Sequence, residues 1–328
     1  MKGGSTYRII VLGLLGFFIA VPTHAGEYPT KPITLVAPYG PGGAADLAAR
    51  SLASVLPQYI GQPVLVINKT GASGATGSAF VANSKPDGYT FLLARVGSQA
   101  VTPALKTNLP YKWNDFTFIG LLELNPYVCN VQENSPYKTF SDLVNAIKSN
   151  PGKLNYSVSG VGTIHNMGPQ MLFSILGLDK TAGMMIPYKG GGAAATALLG
   201  GHVNFGCSNL ASTSGHIRGG KLRALVVTTP KRFAAIPDVP TARELGYPDL
   251  ERIIGWSALY GPKGLDKSIV GKWAKVLQKV SKNKAWLKFT KSLGSVPQIR
   301  SPEATAKWAE EQFSNYRALG KKLGLLIK

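Results

Sequence analysis

The chain has 328 residues, 45% hydrophobic and 16% charged, with 36 Lys and Arg against 16 Asp and Glu, a formal charge of +20. That length and apolar content support two domains with their own cores and exclude a disordered chain, and two cysteines exclude a disulfide-dense scaffold or a cysteine-rich zinc module. The positive surplus suits nucleic acid, an acidic membrane surface or an anionic small molecule.

The N-terminus has the pattern of a secretory signal. Lys2 and Arg8 lead into an uncharged run from Ile9 to Val21, and Thr23-His24-Ala25 places small residues where a signal peptidase reads them. Cleavage after Ala25 is expected, and the apolar run is too short to span ~30 Å of hydrocarbon. Removing residues 1–25 leaves +18, and Lys263–Lys328 holds 15 Lys and Arg against 4 Asp and Glu, so most of the surplus lies near the C-terminus.

In chain order, Ile33–Ala37 is a short strand followed by Gly40-Pro-Gly-Gly-Ala-Ala-Asp46 and a helix with Leu47, Ala48, Leu52 and Val55 on one face. Val64–Ile67 is a second strand, followed by Gly71-Ala-Ser-Gly-Ala-Thr-Gly77 and more helix, and Tyr89–Ala94 is a third. The pattern changes around Asn125–Val131. Thr139, Ser141 and Asp142 then open a helix carrying Phe140, Leu143, Val144 and Ile147. Leu154–Val158 exits through Ser159-Gly-Val-Gly-Thr163 into a helix with Met167, Met171, Leu172 and Ile175. Met184–Tyr188 leads into Lys189-Gly-Gly-Gly192 and an alanine-rich helix, and Val203–Cys207 and Leu222–Thr228 are further strands. Ile253–Tyr260 is a late strand. Beyond Asp266, Ile269, Val270, Trp273, Val276, Leu277 and Val280 form an apolar stripe opposite interleaved lysines. Two successive blocks of strands alternating with glycine-led helices give an α/β fold with mostly parallel sheets.

The glycine loops carry the chemistry. A loop between strand and helix aims free N–H groups and the helix dipole at one point, which makes an anion site. Four such loops occur, at 40–46, 71–77, 160–165 and 189–192. Enzyme signatures are absent: there is no phosphate loop with its Gly-Lys-Ser/Thr ending, no His-Glu-x-x-His and no Gly-x-Ser-x-Gly. His165, His202 and His216 are not spaced as metal ligands, acids are scarce, and a set built from Ser159, His165 and Asp46 has no local support. Gly40–Ala45 fits the Gly-x-Gly-x-x-Ala dinucleotide fingerprint, so a nucleotide-cofactor enzyme is the rival reading. The acid such a fold needs after its second strand is replaced by Asn68-Lys69.

Longer motifs carry a resemblance. The segment Tyr28–Arg50, with its Ala37-Pro-Tyr-Gly-Pro-Gly-Gly-Ala-Ala-Asp46 centre, is similar to the start of the tripartite tricarboxylate transporter receptors, the Bug-type solute-binding proteins. So are Pro86-Asp-Gly-Tyr-Thr90, Gly160-Val-Gly-Thr-Ile-His165, Pro187-Tyr-Lys-Gly-Gly-Gly192, Leu198-Leu-Gly-Gly-His-Val203, Gly220-Lys-Leu-Arg-Ala-Leu225 and Pro237-Asp-Val-Pro-Thr241. The resemblance implies a periplasmic, two-lobed flytrap fold of the type II class, each lobe a mixed, mostly parallel sheet with flanking helices. Residues 26–124 and 254–328 form lobe 1 and residues 125–253 form lobe 2, with the chain crossing near 125 and 254. It further implies a monomer without cofactor or catalysis, which holds a carboxylate between the lobes and passes it to a two-component permease.

Carried over by motif, the binding residues are Tyr39, Gly42, Gly43, Ala44, Asp46 and Ser73 from lobe 1, and Gly162, Thr163, His165, Tyr188, Lys189 and Asn209 from lobe 2. Each has a plainer alternative: Asp46 offsets a helix dipole, Tyr39 packs at an edge, His165 caps its helix, and Lys189 is a solvated rim charge. Two residues depart from the family pattern. Arg95, at the end of the third strand, either grips a second carboxylate or sits in a structural ion pair. With Tyr39 and Tyr188 flanking a ring, the first option points to a dicarboxylate, including an aromatic one such as terephthalate. Cys207 is the other departure. Cys129 and Cys207 are placed in different parts of the molecule, so free buried thiols are expected although export permits a disulfide. A second rival, a nucleic-acid or membrane-surface binder using the C-terminal lysines, lacks aromatics interleaved on the basic face, because Trp273 and Trp286 fall on apolar stripes, and nucleic acid is not an expected partner.

Overall fold

The computed structural model describes Met1, Gly3 and residues 28–327, so the signal-peptide expectation lies outside the described residues. Two sheets organise the chain. The first contains β1 (Ile33–Ala37), β2 (Val64–Asn68), β3 (Thr90–Arg95), β4 (Phe116–Asn125), β10 (Gly255–Pro262) and β11 (Val296–Pro297), in the order β11-β4-β10-β3-β1-β2. The second contains β5 (Tyr127–Gln132), β6 (Asn155–Val158), β7 (Met184–Pro187), β8 (Phe205–Asn209) and β9 (Leu222–Val227), in the order β7-β6-β8-β5-β9.

The two sheets share one plan. In each, three parallel strands stand in the order second, first, third: β2-β1-β3 and β7-β6-β8. The next place is taken by a strand arriving from the other sheet, β10 in one and β5 in the other. Every antiparallel pair involves β4, β5 or β10, the strands at the two crossings. All eight residues of β10 are buried, as a strand covered on both faces requires. β2, at the sheet edge, leaves Leu65 exposed.

The two crossings are short and tied down. Between β4 and β5 lies only Pro126, and the buried Asn125 Nδ2 donates to Ser295 Oγ at 2.7 Å and Glu123 Oε1 at 3.2 Å. On the return path Thr228 Oγ1 donates to Ile253 O at 2.8 Å. The helix Pro302–Lys322, N-capped by Ser301, packs on β4, where Thr305 Oγ1 accepts from the Leu121 amide at 2.6 Å.

The cysteine expectation is corrected here. Cys129 and Cys207 form a disulfide, and neither is free. Because β5 inserts beside β8, Cys129 lies directly opposite Cys207 in antiparallel register, with 4.0 Å between Cα atoms. The 78-residue separation hides the pairing, since nothing local says which strand β5 will join.

Candidate ligand-binding cleft

Three helices begin at the interface between the sheets, and none is capped by the side chain of its own N-cap residue. Ala44–Val55 starts at Gly43 after β1, Ile164–Ile175 at Thr163 after β6, and Gly191–Leu199 at Gly190 after β7. Ordinarily a Ser, Thr, Asp or Asn oxygen accepts from the first-turn amides. Here first-turn residues of all three helices, Ala44, Ala45, Ile164, His165 and Gly191, line a small half-open cavity of about 30 Å³ at the positive dipole ends. Its lining includes Tyr39, Gly43, Ala44, Arg95, Thr163, His165 and Asn209, all seven expected from the sequence. No aspartate or glutamate lines it, so the local field is positive.

Loops from the two sheets touch across this cavity. The Gly40 amide donates to Lys189 O at 3.0 Å, the Ala44 amide to Ser212 Oγ at 3.1 Å, and Thr102 Oγ1 to Gly162 O at 3.1 Å. Ser73 Oγ donates to Val161 O. Ala72 and Ser73 both adopt left-handed backbone, φ 46° and 62°, which is strained for residues with a Cβ. That strain turns the Ser73 hydroxyl toward the second sheet, while its carbonyl accepts from Tyr39 Oη at 2.9 Å.

Arg95 is the charged side chain in the lining. It is 2% exposed and donates through Nη1 to Ser257 Oγ, which in turn donates to Glu123 Oε1 at 2.7 Å. Nη1 lies 3.7 Å from that carboxylate. Burial pulls the guanidinium pKa below its ordinary value, opposed by Glu123 and Tyr39. Both readings of Arg95 therefore meet in one residue: it stands in a buried ion pair and it faces the cavity.

His165, 3% exposed, shares Nε2 with Asn209 Nδ2 at 3.4 Å and leaves Nδ1 without a protein partner. Burial, helped by the Arg95 charge, pushes its pKa down to about 3, so the ring is neutral near pH 7. The unfolded chain, with an ordinary histidine pKa near 6.5, binds one more proton between those values. The contribution of His165 to stability is thus complete above pH 6.5 and lost as pH falls toward 3. Denaturant unfolding at pH 5 is expected to give about 2 kcal/mol less stability from this residue than at pH 7. His165→Gln is expected to remove that part of the pH dependence, and an unchanged pH profile in the variant contradicts the burial argument.

The remaining expected residues sit elsewhere. Asp46 is buried and braces its loop: Oδ2 accepts from the Gly42 amide at 3.1 Å, and Oδ1 accepts from Arg50 Nε and Asn68 Nδ2, each at 3.0 Å. Burial works against its ionisation, but these hydrogen bonds win and hold its pKa below the ordinary carboxylate value. Neither Asp46 nor Gly42 lines the cavity. Ser73, Tyr188 and Lys189 border an adjoining recess that also includes Tyr39, Ser159 and Lys106. Gly162 borders a separate groove near the C-terminus. Sequence reasoning missed Ser212, which reaches Ala44 from a short turn after β8 without a glycine loop to mark it. Its one signal is its place just beyond the C-terminal end of a strand. Among the described residues there is no cluster of three metal-ligating side chains, and no helix is long and apolar enough to cross a membrane.

The family profile described as "Tripartite tricarboxylate transporter family receptor" matches residues 48–325. The chain belongs to the tripartite tricarboxylate transporter receptor family. It is 32% identical to Protein BugT of Bordetella pertussis over 326 residues, covering 97% of this chain and 98% of that one. The solved structure of the periplasmic binding protein BugD superposes with a TM-score of 0.87 at 33% identity, covering 92% of this chain and all (100%) of that one. MatC of Rhodopseudomonas palustris, solved with bound malate, has a TM-score of 0.84 at 28% identity, covering 89% of this chain and 99% of that one. The two-lobed, periplasmic-binding-protein architecture is therefore that of this receptor family, a family of solute receptors and not of enzymes. The dinucleotide-enzyme reading falls with it: Asn68, in the place of the missing acid, ties Tyr39 O and Asp46 together.

Proposed function

We propose that this receptor captures a small dicarboxylate between its lobes and delivers it to a two-component membrane permease. The observation that carries the reading is that three helix N-termini without an N-cap side chain and a buried arginine border one acid-free cavity. A space of about 30 Å³ is room for two or three waters, or for one carboxylate group. One carboxylate thus meets the helix N-termini and Arg95 together, and His165 Nδ1 is open to it. The rest of the ligand extends past Tyr39 and Ser159 into the adjoining recess, where Lys106 and Lys189 attract a second negative charge. The malate bound by a relative supports this size and charge class. An aromatic dicarboxylate such as terephthalate is a second reading, because Tyr39 and Tyr188 both border the recess.

Contacts to both lobes favour the closed arrangement, so binding and closure are one equilibrium. In the same proposal, residues 26–124 with 254–328 form one lobe and 125–253 the other, with hinges at Asn125–Pro126 and Ile253–Ile254. The exported protein, cleaved near Ala25, acts as a monomer in the periplasm. The test is a thermal-shift series across mono-, di- and tricarboxylates, including malate, succinate, terephthalate and citrate. A ligand at about 100 times its Kd adds about 2.7 kcal/mol of stability, or roughly 4–6 °C for a chain of this size. If no carboxylate raises the melting temperature, the proposal fails.

A further inference from the structure

The segment 267–292, comprising the helices Lys267–Val280 and Lys284–Ser292 and the short turn between them, holds eight lysines and no acid in 26 residues, far more charge than the cleft uses. Both bury their apolar sides, Trp273, Val276, Leu277, Val280 and Trp286, in one core cluster of the first lobe. Their opposite faces therefore look outward on the same side of that lobe. Lys267, Lys275, Lys279, Lys282, Lys284, Lys288 and Lys291 are exposed there, and none forms an ion pair with a described residue. None of them lines the cavity or the adjoining recess. Beside Lys288 stands Phe289, 44% exposed.

Left in water, this face works against the fold. Lys275 and Lys279, and Lys284 and Lys288, are like charges four residues apart, and each such pair weakens its helix. An anionic partner relieves that repulsion. We propose that this face docks the receptor electrostatically on a bilayer carrying acidic headgroups. Every charge in it is a lysine, a strongly hydrated point charge on a flexible stem, without the planar fork of arginine that matches fixed carboxylates two bonds at a time. A broad field of point charges with one exposed aromatic suits a fluid anionic surface better than a protein partner with fixed acids. Docking of this kind keeps a soluble receptor near the membrane in which its permease lies, while the cleft remains free.

The test is co-sedimentation of the purified protein with vesicles of phosphatidylcholine alone or with about 30% phosphatidylglycerol, at low and at high salt. The expected result is binding only to the phosphatidylglycerol vesicles, lost at high salt. A Lys275→Glu, Lys279→Glu, Lys288→Glu, Lys291→Glu variant is expected to bind at least about 100-fold more weakly, since each lysine near the surface contributes about 1 kcal/mol. Its melting temperature and carboxylate binding are expected to stay near those of the parent. Equal binding to both vesicle types, no binding to either, or undiminished binding by the variant each overturns the proposal. So does binding to a soluble polyanion such as heparin without binding to vesicles.

Discussion

Arg95→Ala is expected to lower stability by about 3–5 kcal/mol, before any effect on ligand is read. The cause is the group left behind. Glu123 is 4% exposed, and its carboxylate is held by Ser257 and Asn125 as well as facing Arg95. Removing the guanidinium strands a buried negative charge, and it does so at Asn125, the residue through which the chain leaves the first sheet. The single alanine variant therefore mixes two effects. Replacing both partners, Arg95→Met with Glu123→Gln, removes the charges as a pair and is expected to recover most of the loss. Carboxylate affinity is then measured on this stable double variant. A charge-assisted hydrogen bond contributes about 1.5–3 kcal/mol, so loss of a ligand contact appears as a roughly 10- to 150-fold weaker Kd. Unchanged affinity in the double variant confines Arg95 to its ion pair. A single Arg95→Ala variant as stable as the parent contradicts the buried pair itself.

What was legible in the sequence follows a physical line. Strands followed by glycine loops could be read because each is a local signal: β1, β2, β6 and β7 lie within a residue or two of the runs Ile33–Ala37, Val64–Ile67, Leu154–Val158 and Met184–Tyr188. The three helix N-termini at the cavity follow the same logic. What escaped depends on distant pairing. β4, Phe-Thr-Phe-Ile-Gly-Leu-Leu-Glu-Leu-Asn, has neither clean alternation nor a glycine-led exit, and it is a strand because β10, about 140 residues later, lies beside it. The disulfide escaped for the same reason, since β5 finds β8 only after the chain has crossed between sheets. Among site residues, Arg95 was visible as an odd charge at a strand end. Its partner Glu123 was not, because their meeting through Ser257 joins three strands of one sheet.

Gly192→Ala is expected to hold the cleft open while leaving each lobe folded. Gly192 lies in the first turn of the helix Gly191–Leu199, and alanine is the better helix former there. Across the cleft, a Cβ at this position meets Pro41 O at 2.4 Å, Gly42 C at 2.9 Å and Gly43 N at 3.0 Å. These are backbone atoms of a loop that Asp46 and Asn68 brace from behind, so it has little freedom to yield. The overlap exists only when the two glycine loops are pressed together, and the open arrangement carries none of it. An overpacking term of about 2–3 kcal/mol thus falls on the closed state alone, which weakens apparent carboxylate affinity roughly 30- to 150-fold. Gly43→Ala makes a milder approach, 3.0 Å to Gly192 N and 3.1 Å to Gly191 N, and is expected to lose less. Small-angle scattering with saturating ligand is expected to show a larger radius of gyration for Gly192→Ala than for the parent, with nearly equal melting temperatures without ligand. Parent-like affinity and compaction in Gly192→Ala mean that the loops do not meet in the bound state. A large drop in its ligand-free melting temperature places the clash within the fold of one lobe instead of between the two.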